Sequence, residues 1–231
     1  LIDQEEIHHQ RLSDDPKERI KALEQLEGNF SLLLDKQQAW EDLHKLTNDE
    51  DKNVSYWTAS ALGSAFSHVP DKQQAWDELI ELLTDGDIDV EYSAASALSS
   101  AFPHVSDKQQ AWNDLIKLTI DEDYAGFFLT HSLGKVSIFK ASQAEKEEDY
   151  KKELEKAIEF FEKEQESHSL WSEWGNPSQF CLPFYRSFYT IIFKKQGAGE
   201  LDKYLTEAKY AIEGSKSKKL LFEAVKTLQM H

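Results

Sequence analysis

Eight histidines, a single cysteine and a run of aspartates are the residues here that could do chemistry. His68 and His104 stand at matching places, each followed by valine. A repeated position reads as a repeated structural task, such as closing a helix C-terminus, rather than as a metal ligand. His8 and His9 fall near the start and His168 at the end of a charged stretch. Cys181 has no second cysteine for a disulfide and cannot build a thiolate zinc site alone. Asp85-Gly86-Asp87-Ile88-Asp89 has the look of a calcium loop, but its sixth and twelfth places hold Val90 and Ser96 where glycine and a bidentate glutamate are needed. It reads instead as a polar turn, with Asp89 capping the helix that follows. The phosphate-binding loop, the nucleophile elbow and the dinucleotide fingerprint are all missing from the sequence. No catalytic residue, cofactor or metal is therefore expected.

A second set of residues suits contact rather than catalysis. Tyr56, Ser60 and Ser64 recur as Tyr92, Ser96 and Ser100, with Phe127 and His131 in a third, divergent rung. Residues four apart share a helix face, so each set makes an aromatic-and-serine stripe. Aromatics beside small polar groups suit a protein or peptide partner. Tyr56 and Tyr92 are open to two uses, packing between repeats or facing a ligand. Trp171 and Trp174 lie in a polar stretch, where they are either clamped onto neighbouring helices or exposed for binding.

The elements that must position these residues are announced by repetition. The hexapeptide DKQQAW starts at Asp35, Asp71 and Asp107, always 36 residues on. A fixed period of this size marks a stacked helical repeat. In the unit 71–106, Asp71 followed by Gln74 reads as a capping box. Ala75, Trp76, Leu79, Ile80, Leu82 and Leu83 then form one apolar helical face. A polar break at 84–89 leads into a second helix, Val90 to about Phe102, rich in alanine and serine and ended by Pro103. The segments are 1–34, a worn first repeat; 35–70, 71–106 and 107–140, three repeats; and 141–231, a helical cap. Within the last, 141–166 reads as a long exposed helix. The aromatic run Phe180–Phe193 reads as a central buried helix with Pro183 in its first turn, and two amphipathic helices follow.

The second helices, VSYWTASALG from Val54 and VEYSAASALS from Val90, are identified as similar to short HEAT repeats, of the type also found in phycobilisome lyases. That resemblance implies an all-α superhelix, a HEAT-like solenoid, whose second helices line a concave face. It also implies an arginine after the valine, paired with a loop aspartate. Ser55 and Glu91 occupy that place, so the ladder is expected to be missing. HEAT-like enzymes similar to deoxyhypusine hydroxylase hold iron through His-Glu pairs, and no histidine here precedes a glutamate. HEAT-like base glycosylases need a cationic groove, and the stripe is not cationic. A role like that of the phycobilin lyases is left as an alternative, and a spacer between domains as another.

Composition bounds the rest. A net charge of −17 disfavours nucleic acid. It means either a well-solvated surface or one that attracts a basic partner. No stretch approaches the roughly 20 apolar residues of a membrane span, and no signal peptide is evident. The lone cysteine points to a reducing, cytoplasmic setting, and the chain's ends read as cuts within a larger protein. The expected function is a non-catalytic interaction or sensor scaffold.

Overall fold

The computed structural model describes residues 3–119, 124–166, 178–194 and 198–213. Among these, every regular element is a helix. Two compact units divide the chain, Leu1–Ser132 and Leu133–His231.

The first unit stacks helix pairs. They are α1 (Gln4–Arg11) with α2 (Pro16–Asn29), α3 (Lys36–Lys45) with α4 (Lys52–Ala65), and α5 (Lys72–Leu83) with α6 (Ile88–Ala101), followed by α7 (Lys108–Leu118) and the start of α8 (Tyr124–Ser142). Aspartate caps each helix from α1 to α7: Asp3, Asp15, Asp35, Asp51, Asp71, Asp87 and Asp107. Each carboxylate accepts amide protons of the first turn, at the positive end of the helix dipole. Part of the acidity is thus structural.

Two local expectations are corrected. Asp87, not Asp89, caps α6: its extended backbone lets the carboxylate accept from the Asp89 and Val90 amides, leaving Asp89 inside the first turn. Gly86, at φ +88°, makes the turn that delivers it. The capping box is only half made. Asp71 Oδ1 accepts from the Gln74 amide at 2.9 Å, but the Gln74 side chain reaches His44 instead of turning back.

The core repeats with the sequence. Leu26, Leu62 and Leu98 are buried, as are Phe30, Phe66 and Phe102, each set 36 residues apart. Phe66 meets Trp76 edge-on, with ring centroids 6.4 Å apart. The second helices α2, α4 and α6 lie side by side. A Cβ built on Gly63 would stand 2.8 Å from Ala97 Cβ, so only glycine permits this approach of α4 to α6. This is an α–α superhelix, as the repeats predict.

The second unit is helical too, with α9 (Glu147–Glu166), α10 (Ser178–Tyr189) and α11 (Ala198–Glu213). α9 starts later than expected because residues 141 and 142 still belong to α8, and it buries Leu154, Ala157 and Phe161. Leu182 of α10 joins Ala157 and Phe161 in one cluster, while Phe180, Phe184 and Phe188 pack against Leu205 and Ala208 of α11. The aromatic helix therefore sits between two neighbours, as its composition predicts. Pro183 lies in its interior, and the helix runs on into a π turn, Thr190–Lys194.

Candidate functional site

α4 and α6 present their outer faces together. Between them is a cavity of about 220 Å³ lined by Tyr56, Ser60, Gly63, Ser64, Tyr92, Ser93, Ser96, Ala97 and Ser100. Six of these are the stripe residues expected from sequence. They converge because α4 and α6 touch at Gly63 and Ala97, which form part of the cavity lining, while the four-residue spacing lines up the larger side chains on each helix.

The stripe does two jobs at once. Ser93 Oγ donates to the Tyr56 carbonyl at 2.9 Å, joining the helices. Tyr92 meets Phe128 edge-on at 5.5 Å, and Tyr56 meets Trp57 at 5.7 Å. Both tyrosines are half-buried, so packing and cavity lining coexist. Ser60 and Ser64 donate to one oxygen of Glu27, Oε1, at 2.8 and 3.2 Å. Glu27 projects from α2, so three second helices meet at this end of the cavity. Phe127 and His131, the expected third rung, are half-buried on α8 and do not line it. Trp171 and Trp174 lie outside the described residues.

The first helices carry a polar arrangement that the sequence reading missed. His8 Nδ1 lies 2.8 Å from Asp42 Oδ1, which also accepts from Arg11 Nε at 3.0 Å and Gln38 Nε2 at 3.2 Å. One period on, His44 Nδ1 pairs with Glu78 Oε1, and Gln74 Nε2 approaches the same ring at 3.3 Å. Each clasp joins one repeat to the next through a buried carboxylate. Burial raises the Glu78 carboxyl pKa, opposed by the adjacent His44. The third clasp is absent because Ile80 stands where the histidine would be, and Gln110 turns to its own helix's Asp114 at 2.7 Å. The signal lay in the spacing of His8 and His44, and of Asp42 and Glu78, all 36 residues apart.

The arginine–aspartate ladder is missing at Ser55 and Glu91, as expected, but one such pair stands in the worn first repeat. Arg19, one period before Ser55, binds Asp49 through Nε at 2.7 Å and Nη2 at 2.8 Å. Lys52, from a different position, makes a separate ion pair with Asp85 at 2.8 Å. In the later repeats Ser55 and Glu91 replace the arginine. His68 and His104 are exposed, and the described hydrogen bonds include none from either imidazole.

Reactive chemistry is muted. Burial pushes the Cys181 thiol up to about 11, with Glu164's charge adding to it, which keeps the sulfur protonated and a poor nucleophile at neutral pH. Among the described residues no three His, Cys, Asp or Glu side chains gather as a metal site, and no helix is long and apolar enough to cross a membrane.

Helix pairs stacked at a fixed period over a shared core define the class, a repeat scaffold. Residues 7–99 match the family model for HEAT repeats, a match that begins within the worn first repeat. No curated protein matches the sequence. Similar solved structures include an engineered protein (19% identity, all of both chains covered, TM-score 0.49). A designed armadillo repeat protein is 18% identical over 98% of this chain and 100% of its own, at TM-score 0.48. Computationally designed armadillo repeat proteins for modular peptide recognition are 17% identical over 98% and 99%, at 0.44.

Proposed function

We propose that the chain is a non-catalytic scaffold that holds a protein or peptide partner on its second-helix face, through Tyr56, Ser60, Ser64, Tyr92, Ser96 and Ser100. The observation that carries this is the convergence of two repeats' stripes on one cavity. Its volume, about 220 Å³, falls below the roughly 300–1,000 Å³ of small-molecule sites. That favours one side chain of a longer partner over a chromophore, and so a scaffold over a lyase-like role. Phe127 and His131 would extend the contact along α8. A cytoplasmic setting is consistent with a single, half-buried cysteine that has no second one to pair with.

Affinity capture from the native extract tests the reading. The full chain is compared with Tyr56→Ala/Tyr92→Ala and with Ser96→Phe, which fills the cavity from an exposed position. A protein retained by the parent and lost from both variants is expected, with the fold unchanged by circular dichroism. Equal retention by all three rules out this face, and retention of nothing favours a spacer.

A further inference from the structure

We infer that this cavity selects a lysine or arginine side chain on an extended peptide; the inference rests on the proposed binding face and names the chemistry it reads. Glu27 is the key residue. Two hydroxyls, from Ser60 and Ser64, both donate to its Oε1. Both serines line the cavity, which puts the carboxylate at its edge, just outside the nine lining residues, and Oε2 enters none of the described hydrogen bonds or ion pairs. A carboxylate already oriented by two hydroxyls loses little side-chain freedom when a cation arrives. None of the nine lining residues is basic, so nothing in the wall competes for it. The two tyrosine rings supply aromatic surface that attracts a cation's charge and covers its aliphatic stem. Ser60, Ser64, Ser93 and Ser100 already donate their protons within the protein, so their oxygens are left to accept from backbone N–H groups of the same peptide. An anionic ligand is disfavoured by Glu27 and by the chain's net charge of −17, which also steers cations toward the molecule.

Selection from a random heptapeptide library displayed on phage tests this, with the full chain as target and Ser96→Phe and Glu27→Gln as counter-targets. The carboxamide oxygen of the Glu27→Gln variant can still accept from both serines, so the change removes charge and little else. Peptides lost on Ser96→Phe are expected to carry Lys or Arg at one fixed position. A synthetic copy of the strongest is expected to bind Glu27→Gln roughly tenfold more weakly. Replacing its basic residue by norleucine should abolish that difference, the signature of direct coupling in a double-mutant cycle. Cavity-dependent peptides with no basic preference, or equal affinity for Glu27→Gln, overturn this inference and leave the binding face standing. If no peptide depends on the cavity, both readings fall.

Discussion

Glu78 shows how one buried carboxylate can be both useful and costly. His44 satisfies Oε1, yet Oε2 is buried without a hydrogen bond among the described residues. Removing the histidine strips the buried acid of its charged partner and leaves Gln74 as a weaker one, so His44→Ala should cost about 1–3 kcal/mol in urea unfolding. A loss under about 0.5 kcal/mol would mean that water replaces the ring. The pH dependence follows from the direction of the Glu78 shift. Its folded pKa lies above the ordinary 4.5, so its contribution is most favourable below 4.5 and is lost as pH rises through the folded value. Relative to Glu78→Gln, the parent should therefore lose stability across the window just above pH 4.5, read from urea midpoints. Parallel pH profiles for the two proteins would refute this. Cys181 obeys the same physics in the second unit. With its thiol at about 11, reaction with a disulfide reagent at pH 8 should run roughly a hundredfold slower than for free cysteine, and should approach it on unfolding. A fast reaction in the folded protein would show the thiol to be accessible and ionised.

Helix pairs were legible because their signals are local and repeated: aspartate caps, an apolar face every three or four residues, and breaks at glycine or proline. What escaped were choices between neighbours of the same type. Asp87 and Asp89 differ by two positions in an acidic turn, and only the backbone angles decide which one caps. Gln74 completes a capping box on paper, but His44 competes for its amide from a residue 30 positions earlier. Arg19 carries no family signal, because Glu18 stands where valine precedes arginine in the family pattern. The cavity residues were legible at Tyr56 and Tyr92, since both face and period were known. Glu27 was not, because it belongs to the worn repeat and takes the place that Gly63 holds one period later. Gly63 itself supports a prediction about the α4–α6 contact. Valine there would press on both the Ala97 side chain and its backbone, 2.8 and 2.9 Å from the new Cβ, and backbone cannot swing aside. Gly63→Val should cost about 1–3 kcal/mol, despite removing a helix-weakening glycine. It should also weaken any ligand of the cavity that Gly63 lines. An unchanged melting temperature would mean the two helices can separate at no cost.

Within the first unit, stability should be graded rather than uniform. A repeat touches only its neighbours, so its protection depends on how many neighbours it has and how well it grips them. α4 lies between α2 and α6, and its repeat is tied on one side by the His8–Asp42 clasp and on the other by His44–Glu78. α1 is the shortest of the first helices, at 8 residues against 10, 12 and 11, and buries only Ile7. Local opening is cheapest where few apolar groups must be exposed. Native-state hydrogen exchange should therefore find the slowest amides in α4 and α6, near Leu62 and Leu98, and the fastest helical amides in α1. Loss of the His44 clasp should speed exchange in α3 and α5 before it reaches α1, because that clasp joins only their two repeats. Equal protection from α1 to α6, falling together in His44→Ala, would instead mark one all-or-none unit. In that case the cavity between α4 and α6 would owe its shape to the whole stack, and a variant anywhere along it would disturb binding as much as one at Gly63.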